Sequence, residues 1–167
     1  MSSKSRNTYF IFRHGETFAT RDKTVYGDRQ LSAEILPEGI PAIKRLAEYL
    51  KNVNADEHYR SEFLRVKQTT DIISEITGKE FAAEPMLNEF MESSFDEFHA
   101  RMKTLIDKYE SAENKTYMLC THGDVIAAFR YILTEKDFLV EDHTDYPHPG
   151  TLAIIKEGEY ELLDFNE

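Results

Sequence analysis

Two histidines that each precede a glycine are the residues of this sequence best suited to chemistry. His14 lies between Arg13 and Gly15, and His122 is followed by Gly123. A histidine can attack phosphorus or carry a proton near neutral pH, and an arginine presents a planar fork of donors that matches a phosphoryl group. A glycine has no Cβ and lets a substrate oxygen approach the backbone. This combination indicates a site for phosphoryl chemistry.

Each of these histidines follows an apolar run that predicts a buried strand. Residues 9–12 form the first run, which is aromatic and β-branched, and residues 117–121 form the second. Sheets in α/β proteins bind their ligands beyond the carboxyl ends of their strands. Two strands that both end at a histidine are far less expected by chance than one, so we expect His14 and His122 to meet at a shared sheet edge.

The rest of the sequence alternates between strand and helix patterns, which indicates an α/β fold. The predicted helices cover residues 36–51, from about 65 to 77, 94–109 and 124–133. The other predicted strands cover residues 55–60, 80–83, 150–156 and 160–166. The last two strands are predicted to form a hairpin around residues 157–159. The polar, turn-rich stretch 18–32 is predicted to be a loop over the site.

Length and composition describe a single domain, residues 1–167, with enough apolar side chains for one substantial core. The net charge of −11 argues against nucleic acid or an anionic membrane as the main partner. No stretch reaches the roughly 18 apolar residues of a membrane span, and the polar N-terminus lacks the apolar core of a signal peptide. The single cysteine, Cys120, rules out an internal disulfide, so we expect a cytoplasmic protein.

Three stretches carry a family resemblance. Residues 13–17 read R-H-G-E-T, residues 61–69 match S-x-x-x-R-x-x-Q-T, and residues 121–126 match S/T-H-G-x-x-I. These motifs resemble those of the histidine phosphatase superfamily, which includes phosphoglycerate mutases and many small phosphatases. The resemblance implies a three-layer α/β/α sandwich with a mostly parallel central sheet, like that of phosphoglycerate mutase.

The resemblance also implies roles for four residues. His14 would attack phosphorus and form a phosphohistidine, while Arg13, Arg65 and His122 would hold the phosphoryl oxygens. Arg65 falls in the first turns of a predicted helix, where free N–H groups favour an anion. Taken alone, Arg65 would be interpreted as an exposed charge on a helix, and only the upstream motif favours the phosphate-binding role.

The general acid and the hydroxyl donors are less sharply defined. Leu87-Asn88-Glu89 matches the family triplet that supplies the acid, which points to Glu89. Most relatives continue with a long excursion that this chain lacks, so Glu92 competes with Glu89 for the role. Thr17 or Thr20 would add a hydroxyl donor to the phosphate site, although relatives tend to have an asparagine where Thr20 stands.

The missing excursion decides the predicted reaction. A mutase must shield its phosphorylated intermediate in a closed, basic pocket, so an open pocket predicts hydrolysis of phosphomonoesters. The alternatives are a protein phosphohistidine phosphatase, a phosphoglycerate mutase-like phosphotransferase and a degenerate member that binds phosphorylated ligands without turnover. The expected partner is therefore a small phosphorylated substrate or a phosphoprotein, and the resemblance implies no cofactor.

No metal is expected either, because the cations are built into the site. In the tail, His143 and His148 lie near Asp142 and Asp145, but their spacing fits no strong metal motif. We interpret them as loop residues, with His148 a candidate for the rim of the pocket.

Overall fold

A six-stranded mixed sheet forms the centre of this structure, a computed structural model that describes residues 5–166. Its strands are β1 (Thr8–Arg13), β2 (Glu57–Arg60), β3 (Ala82–Ala83), β4 (Thr116–Thr121), β5 (Thr151–Lys156) and β6 (Glu159–Asp164). They lie in the order β3-β2-β4-β1-β5-β6. The first four strands run parallel, whereas β5 is antiparallel to β1 and to β6. The predicted mostly parallel sheet is confirmed.

Helices cover both faces of this sheet. They are α1 (Phe18–Asp22), α2 (Ile40–Leu50), α3 (Leu64–Thr77), α4 (Phe95–Glu110) and α5 (Gly123–Leu133). Neighbouring residues of β1 point to opposite faces, as successive strand residues must. Ile11 packs in the apolar cluster of α4 and α5, and Phe12 packs in the cluster of α2 and α3. This is the three-layer sandwich that the sequence predicts. No helix among residues 5–166 combines the length and apolar character needed to cross a membrane.

The pairing of β1 with β4 brings the two histidines together. The strands are parallel, and their register pairs Arg13 with Thr121. The next residues, His14 and His122, therefore leave the same edge of the sheet side by side. The backbone N–H of His14 also donates to the carbonyl oxygen of Thr121 at 3.3 Å, which extends the pairing by one residue.

The stretch 18–32, predicted as a loop, is partly helical. It contains α1 and a 3-10 turn, Gly27–Arg29. The hydroxyl of Thr17 accepts a hydrogen bond from the Thr20 N–H at 3.3 Å, and the Thr20 hydroxyl accepts one from the Thr17 N–H at 2.7 Å. This reciprocal arrangement starts a helix as a capping box does. The prediction of a loop was wrong because Thr20 stands at the third helical position, where the usual capping-box sequence has glutamate or glutamine.

The other predicted elements are present with shifted ends. The helix predicted from residue 36 begins as a 3-10 turn, Pro37–Gly39, before α2 starts. In the final hairpin, Glu157 and Gly158 have φ angles of 51° and 77°. A two-residue connection with both φ angles positive matches the twist of the flanking strands, so Glu159 belongs to β6 and not to the turn. The edge strand predicted over residues 80–83 is only two residues long.

Candidate active site

His14, directly after β1, has one ring nitrogen available for reaction. Its Nδ1 lies 2.7 Å from the carbonyl oxygen of Gly15, and its Nε2 lies 3.3 Å from Nε of Arg65. A carbonyl oxygen only accepts and a guanidinium only donates. Nδ1 therefore carries the proton and Nε2 carries the lone pair. In this tautomer the imidazole presents Nε2 as a nucleophile towards the arginine that would hold its target.

The surroundings of His14 favour its neutral form. The residue is 1 % exposed. Burial lowers the pKa of His14 well below its usual value, and the positive charges of Arg13 and Arg65 lower that pKa further. The hydrogen bond to Gly15 acts in the opposite direction and is outweighed. The imidazole is therefore unprotonated at neutral pH, as a nucleophile must be.

Arg65 lies in the first turn of α3 and is fully buried. Its guanidinium carbon is 3.9 Å from the ring centroid of Tyr26 and 5.0 Å from that of Phe63. Rings that stack on the plane of a guanidinium leave the N–H donors at its edge available to hydrogen-bond acceptors. The first turn of a helix also has unpaired N–H groups and a positive dipole end. The interpretation of Arg65 as an exposed helix charge is wrong, because the folded chain buries it beside His14.

Arg13, the last residue of β1, has a buried donor without a partner. Its Nη1 donates to the carbonyl oxygen of Pro147 at 3.1 Å, and its guanidinium carbon lies 4.7 Å from the ring centroid of Tyr146. Its Nε is buried and has no hydrogen-bond partner. Burial lowers the pKa of Arg13. An unpaired buried N–H is costly, and an anionic ligand would remove that cost.

The tautomer of His122 is set by a chain of polar side chains. Its Nε2 lies 2.8 Å from the hydroxyl oxygen of Ser61. The Ser61 hydroxyl donates to Oδ1 of Asn88 at 3.0 Å, and the Asn88 amide donates to Glu62 at 3.0 Å. Because Ser61 has given away its only proton, Nε2 of His122 must donate to Ser61. In the neutral ring, Nδ1 therefore carries the lone pair and faces the site.

Glu89 completes the cluster. Its Oε1 lies 3.6 Å from Nδ1 of His122 and 3.4 Å from Nη2 of Arg65. Burial lowers the pKa of His122 well below its usual value, and the positive charges of Arg65 and Arg13 lower it further. A neutral imidazole nitrogen and a carboxylate both accept hydrogen bonds. The two histidine rings are 5.5 Å apart between centroids, so Glu89, His122 and His14 form one cluster.

Glu92 points away from the histidines. Its two carboxylate oxygens lie 2.7 Å from Nε and 3.3 Å from Nη2 of Arg101, which belongs to α4. Burial opposes the shift, but the hydrogen bonds and charge of Arg101 lower the pKa of Glu92 overall. A carboxylate held in this ion pair is a poor proton donor. The geometry therefore favours Glu89 over Glu92 as the general acid.

The two threonines contact α1 and its surroundings. Thr17 is fully buried, and its hydroxyl lies 2.7 Å from the hydroxyl of Tyr26. The Thr20 hydroxyl donates to the carbonyl oxygen of Thr17 at 3.1 Å. Both hydroxyls are thus engaged in capping α1 or in holding Tyr26. Their part in phosphate binding stays a prediction.

A covering segment, residues 23–34 between α1 and α2, lies over the nucleophile. Within it, the ring of Tyr26 lies over Arg65, and the carbonyl oxygen of Gln30 accepts from Nη1 of Arg65. The side-chain amide of Gln30 donates to Oε2 of Glu89. A cavity of about 430 Å³ borders this segment, with a lining that includes Arg13, Lys23, Tyr26, Glu89, Tyr146 and His148. The buried His14 is not among the residues that line this cavity.

Comparison with known proteins identifies the family. A family model described as histidine phosphatase superfamily (branch 1) matches residues 9–92, half of the chain. The chain belongs to the histidine phosphatase superfamily. The match spans β1, α3 and Glu89, while β4 and His122 lie beyond it. No curated protein sequence matches the chain significantly.

Solved structures show the same fold at low sequence identity. The alpha-ribazole phosphatase from Shigella flexneri superposes with a TM-score of 0.74 at 18% identity, over 96% of both chains. A mycobacterial glucosyl-3-phosphoglycerate phosphatase gives a TM-score of 0.71 at 17% identity, over 95% of this chain and 98% of that one. The phosphoglycerate mutase from Bacillus anthracis gives 0.64 at 14% identity, over 98% of this chain and 94% of that one. The architecture of this chain is thus that of phosphoglycerate mutase-like proteins.

Several residues of the site were not assigned a role from the sequence. Ser61 directly follows β2 at the same sheet edge as the histidines, so its position could have indicated a contact with His122. Asn88 is part of the matched acid motif and could have been found with it. Tyr26 and Gln30 lie in or beside a 3-10 turn away from any strand end, and no pattern in the sequence points to them.

The histidines of the tail lie apart from the catalytic pair. His143 contacts the carbonyl oxygen of Val140 through Nδ1. His148 lines the cavity beside Arg13, in agreement with its predicted place at the rim of the pocket. Within residues 5–166, no group of three or more His, Cys, Asp or Glu side chains is arranged to hold a metal ion.

Proposed function

We propose that this histidine phosphatase hydrolyses phosphomonoesters through a phosphohistidine on His14. The observation that carries the proposal is the buried cluster in which Nε2 of a neutral His14 faces Arg65, with His122 and Glu89 next to it. Such a cluster provides a nucleophile, positive charge for the phosphoryl oxygens and a carboxyl group for proton transfer. All three lie at one edge of the sheet.

The first step is an in-line attack of Nε2 of His14 on phosphorus. The N–P bond forms as the P–O bond to the leaving group breaks, and the proton stays on Nδ1, which donates it in a hydrogen bond to the carbonyl oxygen of Gly15. Arg13 and Arg65 bind the phosphoryl oxygens, using the unpaired Nε of Arg13 and the edge of the Arg65 guanidinium. Stabilising the spread negative charge is what phosphoryl transfer needs most, and these cations provide it without a metal.

Glu89 acts on the leaving group. In its protonated form it gives its proton to the departing oxygen, so that an alcohol leaves instead of an alkoxide. The resulting carboxylate then takes a proton from a water molecule, whose oxygen attacks phosphorus and breaks the N–P bond. Phosphate leaves, and His14 and a protonated Glu89 are restored. His122, whose Nδ1 faces Glu89, donates to a phosphoryl oxygen when it carries a proton.

Hydrolysis is favoured over a mutase reaction by the short connection after Glu89. Residues 90–94 lead directly into α4, so no insertion follows Glu89 to exclude water from a phosphohistidine. The proposed substrate is a small phosphorylated metabolite. A cytoplasmic location is proposed from the sequence alone, since the single cysteine cannot form an internal disulfide.

The nucleophile assignment is tested by replacing His14. His14→Ala should lower the turnover of p-nitrophenyl phosphate by about 10³-fold or more, because no other group in the cluster can form the N–P bond. His99→Ala is the matched control, since this histidine of α4 stacks on Phe95 away from the cluster and should keep its turnover. Radiolabelled phosphate should be trapped on the wild-type protein and not on His14→Ala. Full turnover by His14→Ala would contradict the proposal.

The same assay separates hydrolysis from its alternatives. Phosphate release from small monoesters should exceed both phosphoglycerate mutase activity and phosphate release from a phosphohistidine-containing protein. A faster mutase reaction, or faster release from the protein, would assign the alternative reaction instead.

A further inference from the structure

Arg101 of α4 makes hydrogen bonds with every donor of its guanidinium, and all of them go to the segment that carries Glu89. Its Nη1 donates to the carbonyl oxygens of Met86 at 2.9 Å and Asn88 at 2.8 Å. Its Nη2 donates to the carbonyl oxygen of Glu89 at 3.2 Å. The remaining Nη2 hydrogen and the Nε hydrogen go to Glu92, at 3.3 Å and 2.7 Å. Five donors thus meet five acceptors within residues 86–92.

We propose that Arg101 is a positioning residue for the general acid: it fixes the main chain at Glu89 so that the carboxyl group is held over the leaving group. The inference rests on the proposed function, in which Glu89 donates a proton to the departing oxygen. Arg101 itself does not reach the reacting atoms. It acts through the backbone of the residue that does.

Glu89 needs this support because substrate competes for its other partners. Its carboxylate is held by Arg65, His122 and Gln30. When a phosphoryl group enters, Arg65 and His122 turn to the phosphoryl oxygens, and Gln30 moves with the covering segment. The three carbonyl contacts of Arg101 involve no group that binds substrate. They are the contacts that persist while the acid works.

Arginine is the residue type that this role requires. Its planar fork reaches three carbonyl oxygens and one carboxylate at the same time, whereas a lysine offers three donors from a single point. The side chain is 17% exposed and its guanidinium carbon lies 5.2 Å from the ring centroid of Phe98, so packing on α4 also limits its motion. Glu92 balances its charge.

A positioning role predicts a dependence on the leaving group that a purely structural role does not. An alkoxide needs the proton of Glu89 in order to leave, and p-nitrophenolate hardly needs it. A small displacement of the acid, about 1 Å, can cost about 10²-fold in rate. Displacing Glu89 should therefore slow the hydrolysis of alkyl phosphates much more than that of p-nitrophenyl phosphate. A loss of folded protein would slow the hydrolysis of both substrates equally.

The experiment compares kcat/KM for an alkyl phosphate and for p-nitrophenyl phosphate in a set of variants. Arg101→Met should lower kcat/KM for the alkyl phosphate about 10²-fold more than kcat/KM for p-nitrophenyl phosphate. Glu89→Gln should show the same difference between the two substrates. Arg101→Lys should recover only part of this loss. Glu92→Gln keeps the three carbonyl contacts and should change the ratio little. Arg130→Met removes an arginine of α5 that pairs with Asp145, and it should leave the ratio unchanged.

The outcomes separate this inference from the proposed function. Suppose that Glu89→Gln lowers kcat/KM mainly for the alkyl phosphate, whereas Arg101→Met lowers kcat/KM equally for both substrates. Arg101 is then structural and the inference is wrong. If the wild type has no phosphatase activity, the proposed function fails, and a crystal structure of Arg101→Met still decides the positioning claim. Oε1 of Glu89 should then move away from Nδ1 of His122, and an unchanged 3.6 Å distance would overturn the inference.

Discussion

At Glu89, a carboxylate oxygen, Oε1, lies 3.6 Å from Nδ1 of His122, and both atoms accept hydrogen bonds. The contact with Nδ1 of His122 lies on the open side of an imidazole whose other nitrogen is held by Ser61. Glu92, three residues further on, has its proton-accepting oxygens bound to an arginine.

This difference predicts opposite results for two conservative substitutions. Glu89→Gln removes the proton donor and should lower kcat for an alkyl phosphate about 10²- to 10⁴-fold. Glu92→Gln should stay within about threefold of the wild type, because Glu92 contacts only Arg101 and its own segment. Steady-state kinetics of the two purified variants checks the assignment. A larger loss for Glu92→Gln would reverse it.

The central residues of the site could be predicted because their positions follow from simple rules. Arg13, His14 and His122 stand where parallel strands end, and such ends meet at one sheet edge. Arg65 stands at the first turn of a helix on that edge. Their hydrogen-bond partners could not be predicted in the same way. The contacts of Gln30 and Arg101 depend on how loops pack, which no local pattern encodes.

Among the elements, the covering segment has the clearest functional consequence. It lies between α1 and α2 and reaches Arg65 and Glu89 through Tyr26 and Gln30. Because His14 is only 1 % exposed, we expect this segment to move when a ligand binds next to Nε2.

A tryptophan reporter can detect this movement. The chain has no tryptophan, so Tyr26→Trp introduces a single emitter over Arg65. Its fluorescence should change saturably as orthovanadate or inorganic phosphate is added, because an oxyanion that binds Arg65 displaces the Gln30 carbonyl of the same segment from Nη1. Tyr160→Trp on β6 should show no change. An unchanged Tyr26→Trp signal, with oxyanion binding confirmed by calorimetry, would mean that the ligand enters without moving the segment.

The elements themselves illustrate where sequence patterns succeed and fail. The long helices were predicted because apolar residues recur along one face, and Gly78, with a φ of 76°, ends α3 as its position indicates. α1 was missed because only five residues form it and its start depends on a hydrogen-bonded pair of threonines. Short helices carry too few periodic residues for a pattern to register.

At the scale of the whole molecule, the site reduces stability at neutral and alkaline pH. Asp124 follows His122-Gly123, and its Oδ1 is buried with no hydrogen-bond partner. Burial raises the pKa of Asp124 to about 7, and the nearby charge of Glu89 adds to the effect. The folded protein therefore binds this proton more tightly than the unfolded chain between about pH 4 and pH 7. The free energy of unfolding falls as the pH rises through that window.

Asp124→Asn should remove the fall in the free energy of unfolding that comes from ionising Asp124. The variant and the wild type should be similar in stability near pH 4, and the variant should be more stable above pH 7 by about 2–4 kcal/mol. Urea unfolding of both proteins across this range measures the difference, and comparing them at each pH cancels the contributions of the other groups. Asp107→Asn, at an exposed position on α4, is the control and should show no such trend. A difference that does not vary with pH would contradict the predicted ionisation.

The position of β1 in the sheet sets the moment at which this protein can acquire activity during its synthesis. β1 holds the nucleophile near the start of the chain, but both strands that flank it, β4 and β5, come from the last third of the sequence. A ribosome that has made only the first hundred residues has therefore produced His14 without the neighbours that bury and orient it. The site is therefore assembled only when translation is almost finished, and a truncated product would lack the proposed activity.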